Sequence, residues 1–219
     1  MAKAAAAQAG AETRDLIVQA ALEAFTEKGF DGASTREIAT RVGVNHGLIP
    51  YYFRTKQRLW QAAVDLAFAD MAAGIESALA DPSISDDRER ARRMIRAHVH
   101  FVARRPEFVR LMYEEGKRRG PRMRWLVDRY VKPQYDAVVR LLERGGAASS
   151  LASGVAPVHF FYALAGSTGL IFHQAEECKR VSGVDPFDPE VVEAHARFVE
   201  LLLLGPEDDE AAASRRHTQ

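Results

Sequence analysis

STREIATRVGVNHGLIPYYFRTK, residues 34 to 56, is the stretch whose reading decides the fold. It reads as two short helices meeting at a glycine. Ser34 offers a hydroxyl to the unpaired amides of a helix start, and Glu37, three residues on, completes a capping box. Ile38, Ala39 and Val42 then repeat at helical spacing. Gly43 interrupts the pattern where a positive φ lets the chain turn sharply, and Val44 plugs the angle between the helices. Asn45 is a second N-cap. From 46 to 53 the chain makes about two turns, with Ile49 and Phe53 facing inward and His46, Leu48, Tyr51 and Tyr52 left to face elsewhere. Pro50, about one turn in, removes a backbone hydrogen bond and crowds the carbonyl of His46, so the first turn is expected to be tight or slightly bent.

Two short helices about a glycine form a helix-turn-helix layout, whose second helix presents side chains to a major groove. The charge around it suits that use. Between residues 34 and 58 stand Arg36, Arg41, Arg54, Lys56 and Arg58 against the single acid Glu37, a local +4 in a chain whose formal net charge is zero. A cluster of this kind is the footprint of a phosphate-binding surface, although by itself a charge run is more often a solvated face.

Upstream, Thr13-Arg14 and LIVQAALEAFTEKGF precede STREIATRVGV, and Gly47, Tyr52-Phe53 and Lys56 follow it. In this order residues 13 to 60 resemble the head of the TetR-type transcriptional regulators. Pro50 stands where that family generally has a tyrosine and Leu48 where it often has a small hydroxyl residue, so no base contact is assigned to position 50. The resemblance implies an all-α protein whose penultimate and last helices pair about a two-fold axis, and whose body hosts a small-molecule effector.

The remaining composition agrees with a globular chain. At 219 residues and 47% hydrophobic it can bury a core as one large domain or two small ones. No run approaches the roughly 18 apolar residues of a membrane span, and MAKAAAAQAG lacks the apolar centre of a signal sequence, so no membrane partner and a cytoplasmic location are expected. The single Cys178 excludes an internal disulfide and reads as a small packed side chain before it reads as a redox sensor.

Helical periodicity divides the chain into about nine helices with no strand pattern, hence an all-α fold of a three-helix head and a larger bundle. Residues 1 to 12 are expected as a flexible arm, 13 to 60 as the DNA-binding domain, 61 to 204 as the ligand-binding and dimerisation domain, and 205 to 219 as a disordered tail. A helix over 13 to 28 buttresses the turn motif, with Phe25 and Phe30 packing onto Ile38 and Phe53. Thr55 caps a long helix to about residue 80. A helix over 87 to 105 carries Met94, His98, Phe101 and Val102 on one stripe, and a short one from Pro106 follows. A helix over 121 to 144, kinked by Pro133 and stopped by Gly145-Gly146, carries Leu126, Val127, Tyr130, Val138, Leu141 and Leu142 inward. The stretch 157 to 178 is apolar on most sides and rich in small residues, which favours close helix approach, and a final helix over 189 to 204 carries Val192, His195, Val199, Leu202 and Leu203 inward.

In the head, Thr35, Arg36, Tyr52 and Lys56 are expected to hold phosphates, and His46, Gly47, Leu48 and Tyr51 to face the groove, Leu48 against a thymine methyl. Two heads on successive grooves predict a palindromic duplex and a homodimer, with Ala165, Gly166, Gly169, His173, Val199 and Leu202 at the interface; the same helices could instead close one monomer's core. His98, Phe101, Phe108, Met112, Tyr113, Trp125, Tyr130 and Phe161 are candidates for an effector pocket, though an aromatic at helical spacing is more often plain core. The basic run GKRRGPRM reads as a solvated loop before a phosphate contact. No glycine-rich phosphate loop, nucleophile elbow, paired carboxylates or two-histidine helix marks an enzyme, and no cofactor is called for. His173, Glu177 and Cys178 are close in sequence, but an ideal helix points His173 and Cys178 about 140° apart, a poor metal set. A helical protein-binding module or a small-molecule enzyme without DNA activity is the alternative.

Overall fold

Alanine-rich sequence favours helix, and in the computed structural model of the chain, which describes residues 2–82, 84, 86–143 and 155–206, helix α1 runs over Ala2–Gly32. The segment expected as an arm is therefore the first part of this helix. Near its end Gly29 adopts φ 69° and ψ 173° and kinks it. That backbone region is essentially closed to residues with a side chain. There follow α2 (Thr35–Arg41), α3 (Leu48–Phe53), α4 (Lys56–Ala78), α5 (Asp87–Arg104), α6 (Pro106–Gly116), α7 (Pro121–Leu126), a π-helical turn (Val127–Val131), α8 (Lys132–Glu143), α9 (Pro157–His173), α10 (Ala175–Ser182) and α11 (Pro189–Leu204). Among the described residues the fold is all-α.

Among the described residues eleven α-helices stand where nine were expected, because two predicted rods break. Before Pro133 the chain slips into a π turn, in which the Lys132 N–H bonds the Val127 carbonyl. Pro133 has no N–H to give and its ring crowds the carbonyl of Arg129, so the kink is expressed as a slip of register one residue earlier. The second break is at Gln174, whose φ of −100° and ψ of 32° end α9. Gly145 and Gly146, read as helix stops, lie outside the described residues.

Two compact units result. The first comprises the chain up to Ala72 together with Glu107–Arg119. Its interior holds Ile17, Ala21, Ala24, Phe25, Ile38, Ile49, Phe53, Leu59, Trp60 and Val64, all nearly solvent-free. Each large apolar side chain so removed from water contributes about 1.5–3 kcal/mol before entropy is counted. Phe30 stacks on Phe25 at 5.8 Å and meets Trp60 of α4 edge-on at 6.4 Å. Phe108 of α6 meets Phe68 of α4 edge-on at 5.0 Å.

In the second unit, Ala73–Pro106 and the chain from Gly120 onward, α5 lies against α9 and α11. Asp86 caps α5, its carboxylate accepting from the Arg88 and Glu89 amides. The buried stripe of α5 is Ala91, Ile95, Val99 and Val102 with Phe101 beside it, which leaves the expected stripe residue Met94 39% exposed. Of the residues expected inward on α7 and α8, Leu126 is buried while Val127, Tyr130, Val138 and Leu142 are half-buried; the Leu141 side chain lies outside the described residues. α11 buries Val192, Ala196, Val199 and Leu203 at helical spacing. Arg96 ties the two helices through Glu193 and Glu200, and His100 reaches Glu193 at 3.2 Å. At the far end the Arg88 guanidinium donates to the carbonyls of Leu204 and Gly205 at 2.8 and 3.0 Å, satisfying acceptors that a helix end leaves open. Of the segment expected as a tail only Gly205 and Pro206 are described. No helix among the described residues is long and apolar enough to cross a membrane.

Candidate nucleic-acid interface

Helix α2 starts at extended Ser34 (φ −106°, ψ 126°), but the Ser34 hydroxyl makes no capping bond. The expected capping box is absent because Glu37 is drawn elsewhere, to Lys28 at 2.7 Å and Arg41 at 3.1 Å. Arg41 also holds Glu27 of α1 at 2.6 Å, so the group pins α2 to α1. The Lys28 and Arg41 hydrogen bonds hold the Glu37 carboxyl below its usual range, and the Arg41 bond does the same for Glu27.

α2 ends as the glycine predicted. Gly43, at φ 67°, donates to Thr40 O at 3.1 Å while Val44 donates to Ala39 O at 3.0 Å, the paired bonds of a Schellman turn. Asn45 does not cap α3. Its Oδ1 accepts the Gly47 N–H at 2.8 Å, and the helix starts two residues later than expected, at Leu48. Pro50 explains the tightened turn. The His46 carbonyl, which a regular helix would give to the amide of residue 50, accepts from Ile49 at 3.1 Å, and Leu48 donates to Asn45 O at 2.9 Å. A Cβ on Gly47 would stand 3.1 Å from Asn45 Oδ1, so this glycine first serves the turn itself. At the other end Arg54 sits at φ 62°, ψ −47°, and Thr55 N–H reaches Phe53 O at 2.6 Å, a strained γ-turn. The Thr55 hydroxyl then accepts the Arg58 amide at 3.1 Å and caps α4, as expected.

The outward face of α3 carries Tyr51, 76% exposed, with His46 and Gly47 exposed just before the helix and Leu48 half-buried in its first turn. Tyr52 leans inward: its ring lies 5.0 Å from that of Tyr51, and a Cβ on Gly10 of α1 would come within 3.5 Å of its hydroxyl. Lys56 sits 4.9 Å over the Phe30 ring and donates to the Asp31 carbonyl at 3.3 Å. Thr35, half-buried, has its Oγ1 3.1 Å from His46 Nε2, so an expected phosphate contact and an expected groove contact are bonded to each other. The window that summed to +4 missed the acids of α1: Arg41 is paired with Glu27, while Arg36, Arg54 and Arg58 are exposed without an ion pair among the described residues. Arg54 and Arg58 had been given no individual role, and their place beside the exit of α3 makes them further phosphate candidates. Their charge was the one signal in the sequence that could have found them.

The body candidates divide. Phe108, Met112 and Tyr113 belong to the first unit, and His98, Phe101, Trp125, Tyr130 and Phe161 to the second. Within the second, Trp125 and Tyr130 meet edge-on at 5.9 Å with the Arg129 guanidinium over both rings, and Phe161 meets Tyr135 at 5.6 Å. His98 lies 6.5 Å from Phe101, and loss of hydration pushes its imidazole down to about 4. None of the eight lines the open groove of about 450 Å³ between α9, α10 and α11, which is formed by Gly166, Leu170, Gln174, Cys178, Val181, His195 and their neighbours. Burial lowers the His195 pKa, while the bond from its Nε2 to the Ser167 carbonyl, 2.8 Å long, opposes that.

Of the expected interface residues, Ala165 is exposed, Leu202 is 56% exposed, and Gly166 and His173 are half-buried. Gly169 and Val199 are corrected: both are buried inside the same chain. On α11 Val199 continues the inward stripe of Val192 and Ala196, which turns Phe198, Leu201 and Leu202 to solvent at 56, 52 and 56% exposure. Tyr162 and Leu170 of α9 are likewise 66 and 50% exposed. The break at Gln174 removes the single helix assumed for His173, Glu177 and Cys178, and among the described residues no cluster of three such groups is placed to hold a metal.

An all-α chain with a helix-turn-helix at one end, its second helix turned to solvent among unpaired arginines, has the build of a helix-turn-helix regulator. Comparison with known proteins narrows this. Residues 17–63 match the bacterial regulatory proteins of the tetR family, and residues 88–201, just over half of the chain, match the tetracyclin repressor-like C-terminal domain. The chain belongs to the TetR family. It is 32% identical to the HTH-type transcriptional repressor NicS of Pseudomonas putida over 52% of this chain and 53% of that one. To the probable HTH-type transcriptional regulator YttP of Bacillus subtilis it is 24% identical over 81% and 85%. Among solved structures it shares the fold of AibR, in complex with isovaleryl coenzyme A and operator DNA, with a TM-score of 0.63 and 20% identity over 88% of this chain and 98% of that one.

Proposed function

We propose that the protein represses transcription by binding a palindromic operator as a homodimer, and leaves it when a small-molecule effector binds the body. The observation that carries this is the outward face of α3 and its turn, with Tyr51 76% exposed and Arg36, Arg54 and Arg58 unpaired around it. Thr35, Arg36, Tyr52 and Lys56 hold phosphates, which fixes register without reading sequence, while Leu48 and Tyr51 meet base edges with His46 and Gly47 at the head of the helix. Exposed Tyr162, Leu170, Phe198, Leu201 and Leu202 form an apolar face that a second copy covers. Two linked heads make the second half-site contact effectively intramolecular. An effector that favours the arrangement with wrongly spaced heads lowers DNA affinity by its differential affinity for that arrangement. A repressor among the relatives, and an acyl coenzyme A with operator DNA on AibR, support this reading.

The test is selection of bound duplexes from a random library. Lys56→Ala weakens all sequences alike, Tyr51→Ala changes the preferred bases, and affinity falls steeply with salt as counterions are released. A chain that enriches no duplex refutes the reading, and identical profiles for the two variants refute the division of roles.

A further inference from the structure

Resting on that reading, we propose that His46 is a positioning residue for Thr35 and not a reader of bases. The two side chains meet across the turn, Thr35 Oγ1 to His46 Nε2 at 3.1 Å, eleven residues apart in sequence. Both sides of the contact are built. Thr35 opens α2, which Arg41 pins to α1 through Glu27 at 2.6 Å. His46 sits in a turn whose backbone is locked by the Asn45 Oδ1 bond to Gly47 at 2.8 Å and by the Ile49 bond to its own carbonyl at 3.1 Å.

A hydroxyl has one hydrogen to donate and two lone pairs to accept with. If the Thr35 O–H points at Nε2, the oxygen presents lone pairs to an approaching phosphate and repels it. If instead His46 carries its proton on Nε2 and donates to Oγ1, the Thr35 O–H is released to donate to a phosphate oxygen. DNA therefore selects the second arrangement, and His46 acts through the hydroxyl it orients. With Nε2 so engaged the imidazole has no N–H left for a base acceptor, and the donor with which a free histidine would read guanine or thymine is used up.

The test compares the wild type with His46→Ala, His46→Gln, Thr35→Ala and the double alanine variant, by anisotropy on the selected duplex and by selection from the random library. The contact is exposed, so the folding midpoints stay together and the variants remain interpretable. His46→Ala and Thr35→Ala each weaken every sequence by about 5- to 150-fold, the range of one net hydrogen bond lost in each of the two heads. The double variant loses no more than either single one, and the preferred bases do not change. His46→Gln keeps most of the affinity, because its amide nitrogen reaches the position of Nε2. Altered base preference in His46→Ala, additive losses, or a glutamine variant as weak as the alanine one overturns the proposal while leaving the regulator reading intact. A wild type that enriches no duplex overturns both.

Discussion

Leu202→Ala isolates the proposed contact between copies. Leu202 is 56% exposed in one chain, so roughly half of the 1.5–3 kcal/mol available from burying a leucine remains to be gained on association, about 0.75–1.5 kcal/mol. In a two-fold interface the substitution occurs on both sides, which doubles the loss to about 1.5–3 kcal/mol and raises the dimer dissociation constant by about 10- to 150-fold. Val199→Ala is the control. Its side chain is already solvent-free within one chain, so its truncation costs fold stability and leaves the association constant alone. Sedimentation equilibrium over a wide concentration range measures both. A monomeric wild type, a Leu202→Ala dimer within about threefold of the wild type, or a Val199→Ala chain that dissociates as readily would refute the reasoning.

Two other substitutions test the local physics. Neither Gly29 nor Gly183 has an atom within 4 Å of a built Cβ, but Gly29 is at φ 69°, ψ 173° and Gly183 at φ 74°, ψ 2°. Alanine at 183 enters the tolerated left-handed well, whereas at 29 it enters a region nearly exclusive to glycine. Gly29→Ala should lower stability by about 1–3 kcal/mol and Gly183→Ala by clearly less, measured by urea melts. For His98, loss of hydration lowers the pKa from 6.5 to about 4. The unfolded chain therefore takes up a proton first as pH falls, so stability is full above about pH 6.5 and declines toward pH 4 by up to about 1.4 kcal/mol per pH unit. His98→Phe should flatten that decline without abolishing it, because burial shifts His195 the same way and the carboxyls of Glu27 and Glu37, held low by their hydrogen bonds, also lose stability as they protonate; an unchanged slope would remove His98 from the account.

What could be read in advance was what local chemistry decides. Gly43 and Thr55 act on their own neighbours, and each sits where its spacing put it. Two of the failures come from what other helices bring alongside, and one from a nearby proline. Ser34 and Glu37 match a capping box, yet Glu37 goes to Lys28, which α1 brings alongside, and to Arg41 one turn on. Asn45 was assigned a helix that Pro50 pushes two residues downstream. On α5, Met94 and Ile95 are one residue apart and only the packing of α9 and α11 decides which turns inward. The groove-side residues were legible as a group; the bond between Thr35 and His46 needed the turn's three-dimensional closure.

The first unit is assembled from two separated pieces of chain, with Phe108 supplying the ring that meets Phe68 and Arg118 reaching Asp31 at 2.6 Å. A reading head excised as a linear cassette at residue 72 would thus forfeit both of these partners. Chimaeras that graft it onto another regulator's body should carry α6 along with it, or start with an open apolar seam where the graft begins.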